Sequence, residues 1–254
     1  MANEVTRAVG GIDRRPGSAY TPCYHPICWL QQVAPTSFVE SGFCFMAKVI
    51  FFIEGFNLYH ALDRTESRAD PIAFRKYKWL NLWRFCSLFV GPKDSLERVL
   101  LFTAFVTWDP QKVARHKLLI RANENAGVSI VYGEFKRKDK KCRLCDKQFH
   151  TFEEKQTDVN IALELFRLAY LDQYDRAVII SGDTDLIPAI KTVRSTFPQK
   201  QIGVMVPIGK SSEDLLKQAD FRFKMKEPHL VSSRFDNTLR FGDGSTIECP
   251  LGWR

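Results

Sequence analysis

Acidic residues stand at the ends of two strongly apolar segments of this chain. Asp183 and Asp185 follow the segment RAVIIS, and Glu54 follows KVIFFI directly. One acid in such a place can cap the next helix, but two acids around a single Thr184 are more than a cap requires. Asp158 lies at the start of the helical segment that precedes RAVIIS. We therefore interpret these four acids as one site.

Four carboxylates at one point predict a bound cation. Like charges a few ångströms apart repel, so some of the group must be protonated or neutralised by an ion. All-oxygen ligands suit Mg²⁺ or Mn²⁺. Such ions lower the pKa of an attacking water and stabilise charge on a scissile phosphate. The acids therefore predict metal-dependent phosphoryl chemistry.

Predicted strands and helices alternate along the chain and carry these acids. Five buried strands are predicted at 48–53, 97–106, 128–136, 176–181 and 201–208. Helices are predicted at 79–90, 109–127, 157–174 and 211–221. This alternation indicates a mostly parallel sheet covered on both sides, an α/β fold. Functional groups gather beyond the carboxyl ends of such strands, so the acids converge if the first and fourth strands are neighbours.

Two of the helices carry clear end signals. The helix at 109–127 has Asp109 as its predicted N-cap, Pro110 in its first turn and Gly127 at its end. In the helix at 157–174, Thr157 is the predicted N-cap. Its predicted buried face consists of Val159, Ala162, Leu163, Phe166 and Ala169.

Composition divides the chain into three parts. Residues 1–45 are rich in Gly, Pro and Ser, and are expected to form an irregular extension that is poorly ordered or not native, with Met46 as the natural start. Residues 46–226 carry the apolar pattern of the predicted domain. Residues 227–254 are expected to form an irregular strap or a hairpin that packs on it, because GDG is a turn signal.

Charge and cysteine content narrow the class of protein. Lys and Arg number 37 against 29 Asp and Glu, a formal net charge of +8 that fits an anionic partner such as nucleic acid. The chain has no apolar stretch of the roughly 20 residues that span a bilayer, so no membrane association is expected. Seven irregularly spaced cysteines favour a reducing cytoplasm. The oligomeric state stays open, a homodimer included.

Three stretches carry a family likeness: FIEGFNLYHAL, EEKQTDVNIALELFRLAY and DRAVIISGDTDLIPAI. They resemble the three motifs of the NYN domain family, the PIN-like metal-dependent ribonucleases. The likeness runs from about Lys48 to Phe221, and GSTIECPLGW is similar to the C-terminus of bacterial members. The resemblance implies a PIN-like three-layer α/β/α sandwich and cleavage of RNA with Mg²⁺ or Mn²⁺.

The resemblance also implies roles for individual residues. It makes the catalytic set Glu54, Asn57, Asp158, Asp183 and Asp185, with the four acids as the metal ligands. It places three supporting residues around them: Glu154, Ser181 and Thr184. The family usually has aspartate at the first acid, and Glu54 adds a methylene that moves the carboxylate by roughly an ångström. Either the site has adjusted, or this chain binds RNA with weakened cleavage.

A basic insert at 136–155 precedes the helix of the second motif. It is expected to be a loop whose cations contact the RNA backbone: Lys136, Arg137, Lys138, Lys140, Lys141 and Arg143. Cys142 and Cys145 form a CxxC pair that could supply half of a structural Zn²⁺ site, with His150 as a third ligand.

The leading hypothesis is a metal-dependent endoribonuclease. The alternative is an RNA-binding or regulatory module on the same fold, which would bind RNA without metal-stimulated cleavage. A phosphatase acting on small phosphate esters would use similar acids. A dinucleotide-dependent enzyme is disfavoured, because no G-x-G-x-x-G follows a predicted strand.

Overall fold

The computed structural model describes residues 46–63, 74–106, 108–141 and 144–254. Its centre is a six-stranded sheet. Its strands are β1 (Lys48–Glu54), β2 (Ser95–Thr103), β3 (Ser129–Tyr132), β6 (Arg176–Ile180), β7 (Gln201–Val206) and β8 (Phe221–Lys224). All neighbouring strands are parallel, in the order β3-β2-β1-β6-β7-β8. Ile53 of β1 pairs with Ile180 of β6, so the predicted adjacency of these strands is confirmed.

Helices cover both faces of this sheet. They are α1 (Gly55–Asp63), α2 (Leu82–Ser87), α3 (Pro110–Asn125), α4 (Thr157–Tyr170), α5 (Ile187–Thr196), α6 (Glu213–Lys217) and α7 (Glu227–Ser233). Side chains alternate along β1, so Phe51 packs with α1 and α2 while Phe52 packs with α4 and α5. The predicted α/β/α sandwich is confirmed.

Helix α4 presents a different face to the sheet from the one predicted. Ile161, Leu165 and Leu168 are buried, whereas Val159 and Leu163 are 60% and 64% exposed. Both series repeat at helical spacing, so the pattern allowed either face, and contact with the sheet chose one. The predicted cap was also wrong. Gln156, at a φ of 76°, is the N-cap residue, and Thr157 is the first residue of the helix.

The observed ends of two other helices can be compared with the ends predicted from the sequence. Helix α3 begins after Asp109, whose side chain accepts a hydrogen bond from the Lys112 amide, and Gly127 follows its end at a φ of 96°. Both predicted signals are confirmed. Helix α2 spans only 82–87 of the predicted 79–90.

The predicted third strand ends early, and the basic insert is a β-hairpin rather than a loop. Strand β3 stops at Tyr132, and β4 (Glu134–Lys141) then pairs with β5 (Gln148–Lys155) in an antiparallel hairpin. Gly133 lies at the corner, where a Cβ atom would come within 2.7 Å of the Lys155 carbonyl oxygen. Pairing between two distant polar strands is not visible in local sequence, so the hairpin escaped prediction.

The C-terminal part is more regular than expected. Strand β8 was missed, because the predicted helix at 211–221 ends at 217. The tail contains α7 and the hairpin of β9 (Thr238–Arg240) and β10 (Thr246–Glu248), so of the two expected forms, a strap or a hairpin, the structure has the hairpin around GDG. Trp253 packs near Trp79, whose indole nitrogen donates to the Asp236 carbonyl. The predicted extension at 1–45 lies outside the described residues. No helix in the described part of the chain is long and apolar enough to cross a membrane.

Candidate metal centre

Glu54 is the last residue of β1 and lies at the carboxyl edge of the sheet. It is 7% exposed, and the Ser181 hydroxyl donates a hydrogen bond to its Oε2 atom. Burial raises the pKa of Glu54 to about 7; the Ser181 bond opposes this rise, and the charges of Asp158 and Asp183 add to it. The next residue must be glycine, because a Cβ atom on Gly55 would lie 2.8 Å from the Phe102 carbonyl oxygen.

The segment after β6 holds the second acid in place. The Ser181 hydroxyl accepts a hydrogen bond from the Asp183 amide at 2.8 Å, so one serine links both acids. Asp183 Oδ1 accepts the Asp185 amide at 2.9 Å and caps the short 3₁₀ turn Thr184–Leu186. Asp183 therefore both caps this turn and belongs to the acid group.

The third acid comes from the first turn of α4. Asp158 is partly buried, and burial raises its pKa, with further contributions from Asp183 and Asp185. Glu154, at the end of β5, accepts a hydrogen bond from the Thr157 hydroxyl. Burial raises the pKa of Glu154 to about 7; the Thr157 bond opposes this rise, and the charge of Asp158 adds to it. Glu154 thus borders the group from the hairpin side.

Three of the predicted ligands meet at one point. One carboxylate oxygen each from Glu54, Asp158 and Asp183 lies within 4.8 Å of the others. Burial raises the pKa values of Glu54 and Asp158, and repulsion between the acids adds to the rise; a cation between them would offset that repulsion, and hard oxygen donors match Mg²⁺ or Mn²⁺. The residues present therefore fit a divalent ion.

Asp185 and Thr184 stand apart from this group. Both are exposed in the 3₁₀ turn, and Asp185 is near enough for its charge to act on Asp158. The zinc hypothesis falls partly outside the described residues, because Cys142 lies there, as does Arg143 of the predicted RNA contacts. Cys145 is an exposed free thiol, and Nδ1 of His150 lies 2.5 Å from a carboxylate oxygen of Asp139.

Asn57 joins the site through a lysine that the sequence analysis missed. The Asn57 side-chain oxygen accepts hydrogen bonds from the Gly182 amide at 3.2 Å and from Lys210 Nζ at 3.0 Å. Asn57 therefore ties α1 to the segment after β6. Lys210 follows β7, the next strand in the sheet, and this position beyond a strand end was the signal that could have identified it.

The described cations of the basic insert lie on the β4–β5 hairpin. Glu154, on the same hairpin, borders the acid group. Side-chain exposure is 63% for Lys136, 57% for Arg137, 55% for Lys138 and 60% for Lys141. Several have acidic partners, such as Lys138 with Glu153 at 3.1 Å. Lys140 also belongs to β4 and is exposed. We call the β4–β5 hairpin the basic arm; it lies beside the acid group.

Comparison with known families agrees with this geometry. The model of the NYN domain matches residues 48–225, most of the chain. The chain belongs to the NYN domain family. The matched region contains the acid group, the hairpin and the whole six-stranded sheet. The resemblance inferred from the three motifs is confirmed.

Two individual proteins are also similar to this NYN chain. The 6-hydroxy-3-succinoylpyridine 3-monooxygenase HspA of Pseudomonas putida is 38% identical over 89 residues, which cover 33% of this chain and 28% of the relative. The chain thus spans under a third of that relative's length. A solved structure of a Vibrio parahaemolyticus protein of unknown function aligns with a TM-score of 0.49 at 16% identity, over 72% of this chain and 94% of the other.

Proposed function

We propose that this protein is a metal-dependent endoribonuclease that hydrolyses RNA phosphodiesters. The observation that carries the proposal is the meeting of Glu54, Asp158 and Asp183 within 4.8 Å at the carboxyl edge of an NYN-family sheet. These carboxylates would hold Mg²⁺ or Mn²⁺. When bound, the ion supplies activation of water and stabilisation of charge on the scissile phosphate.

The surrounding residues would set the position of the acids and of the phosphate. Ser181 bonds Glu54 and the Asp183 amide, so it fixes the distance between the acids of β1 and β6. Asn57 holds Lys210 Nζ at 3.0 Å, and this ammonium group is placed to contact a phosphate beside the acids. Asp185, exposed next to the group, would orient the attacking water.

RNA is the proposed substrate because the acid group adjoins a basic arm. The exposed cations of the hairpin, Lys136, Arg137, Lys138, Lys140 and Lys141, would contact phosphates without choosing a sequence. Arg143, in the same run of sequence, is proposed for the same role. Binding through these contacts should weaken steeply with salt, as expected where affinity comes from counterion release.

Cleavage of labelled RNA tests the proposal most directly. Wild-type protein should cut with Mn²⁺ or Mg²⁺ and stop with EDTA. Asp183→Asn removes a charge from the acid group but retains an oxygen that can cap the Asp185 amide, so the variant should fold and fail to cut. Glu248→Gln on the C-terminal hairpin is a matched control that should cut normally. Equal cleavage by Asp183→Asn and wild type would refute the proposal.

The RNA-binding module remains a second candidate because of Glu54. Its carboxylate is buried and bonded to Ser181, and burial raises its pKa to about 7, so near neutral pH a metal ion would have to displace a proton from it. If wild type is inert but Glu54→Asp cleaves RNA, the natural protein is a binding module and the nuclease proposal falls. Salt-sensitive RNA binding by both forms would then identify its function.

A further inference from the structure

Aromatic side chains form a continuous row that starts beside the acid group. Phe56, two residues after Glu54, meets Phe135 of β4 edge to face, with ring centres 5.1 Å apart. Phe135 lies 5.1 Å from Trp108 in perpendicular contact. Trp108 then stacks on Phe152 of β5, at 3.7 Å and 16°. We call Phe56, Phe135, Trp108 and Phe152 the aromatic row.

Strand register places the row on one face of the hairpin, next to the proposed site. Phe135 is paired with Glu154, whose carboxylate accepts a hydrogen bond from Thr157, the residue before Asp158. Phe152 is paired with Arg137, two positions farther out along the arm. Residues that face each other in an antiparallel pair share a face, so these rings, Glu154 and Arg137 lie on the same side.

The outer part of the row remains open to solvent although its rings are large and apolar. Trp108 is 41% exposed while it stacks on Phe152. A second pair lies nearby in the chain, where Tyr132 is 47% exposed and stacks with Phe105 at 5.4 Å. Rings of this size usually contribute their area to a core or an interface. Trp108 stacks on a strand of the basic arm, and its exposure there indicates a ligand surface.

The charge around the row indicates which ligand fits. Arg137 is 57% exposed beside Phe152 although it also pairs with Asp139 of the same face, and Lys141 lies farther along that face of β4. Rings interleaved with cations match single-stranded nucleic acid, whose bases stack on aromatic side chains while its phosphates meet Lys and Arg. A duplex keeps its bases stacked within itself and cannot offer their faces to the rings. A surface of this kind therefore selects unpaired strands.

We propose that the aromatic row, and Trp108 above all, stacks unpaired bases of an RNA strand that lies along the hairpin next to the acid group. This inference rests on the proposed function, because it names the substrate of the same site as single-stranded RNA. Arg137 would hold the backbone while Trp108 holds a base. The strand then passes Phe135 and Phe56 before it reaches Glu54.

Binding of a fluorescent single-stranded oligonucleotide in EDTA tests the proposal without cleavage. Trp108→Ala should weaken binding roughly 5- to 150-fold, the range for loss of one base–aromatic stack, and Trp108→Phe should restore most of it. Phe149→Ala is the matched control: Phe149 is 46% exposed on the same hairpin but on the opposite face, and its loss should leave affinity unchanged. Circular dichroism checks that each variant is folded.

Changes in the nucleic acid separate stacking from charge. An oligonucleotide with abasic sites keeps every phosphate, so wild type should bind it as weakly as Trp108→Ala binds the normal strand. Unchanged affinity in Trp108→Ala, equal loss in Phe149→Ala, or tighter binding of duplex than of single strands would overturn the proposal. An acidic peptide that bound with the same dependence on Trp108, in place of RNA, would also overturn it.

The test distinguishes this inference from the proposed function. If single strands bind through Trp108 but no metal supports cleavage, the stacking surface stands and the nuclease proposal falls. If RNA is cleaved normally and Trp108→Ala binds it as tightly as wild type does, the nuclease proposal stands and the stacking surface falls.

Discussion

Glu54→Gln should stabilise the metal-free protein at alkaline pH. Glu54 lies almost wholly buried at the end of β1, where the Ser181 hydroxyl donates to its carboxylate. Burial raises its pKa from an ordinary 4.5 to about 7, and the charges of Asp158 and Asp183 contribute. Glutamine is neutral at every pH and keeps an oxygen that can accept the Ser181 bond. The variant therefore removes a charge and keeps the shape.

The sign of the effect follows from the raised pKa. A carboxyl group that titrates at about 7 in the folded state and 4.5 in the unfolded state binds its proton more tightly when folded. Its contribution to stability is thus retained below pH 4.5 and lost as the pH rises through 7. At 1.36 kcal/mol per pH unit, the full loss is roughly 3 kcal/mol at pH 8. Glu54→Gln does not suffer this loss.

Urea unfolding in EDTA, at pH 4.5 and pH 8, measures the difference. The free energy of unfolding of Glu54→Gln should exceed that of wild type by roughly 3 kcal/mol at pH 8, with the advantage much smaller at pH 4.5. Glu153→Gln is the control, because Lys138 and Lys155 lower the pKa of Glu153 and give the opposite sign. An advantage of Glu54→Gln that did not grow between the two pH values would refute the reasoning. Saturating Mn²⁺ should stabilise wild type more than the variant.

Two further predictions concern the packing that supports the site, and thermal or urea unfolding checks both. Asn123→Ala should lower the free energy of unfolding by roughly 2–3 kcal/mol. Asn123 is fully buried, accepts a hydrogen bond from the Leu82 amide and donates one to the Leu80 carbonyl, so the variant leaves both backbone groups without a partner. An effect no larger than that of a surface substitution would contradict this. Trp253→Ala should lower the free energy of unfolding by roughly 3–5 kcal/mol, because it removes the packing of Trp253 against Trp79 and leaves a cavity. Leu251 is 83% exposed, so Leu251→Ala should change the free energy of unfolding by about 0.5 kcal/mol or less. Equal effects of Trp253→Ala and Leu251→Ala would show that the tail does not hold to the domain.

The strands and the three motifs were predictable because their signals are local. KVIFFI and RAVIIS are continuous apolar runs, which is typical of strands buried on both faces, and each is followed by an acid at its carboxyl end. Asp109 and Gly127 marked the limits of α3 through capping chemistry that depends on a few neighbouring residues. These parts required no knowledge of distant contacts.

The hairpin and the buried face of α4 were not predictable in this way. Lys136 and Glu153 pair across the hairpin although 17 positions separate them, and nothing local in either strand selects that partner. In α4, Leu163 and Leu165 both lie on apolar helical stripes, and only contact with the sheet buries Leu165. Where two solutions satisfy the same local pattern, packing makes the choice.

The parallel α/β fold, the family and the acids at the ends of β1 and β6 were predictable without coordinates, because periodicity, capping and motif order depend on neighbouring residues. The folded chain was needed to show that Glu54, Asp158 and Asp183 converge while Asp185 stays outside their group. It also showed that Lys210 and the aromatic row lie beside them. Distances between side chains on different strands depend on strand order and register, which are properties of the folded chain as a whole.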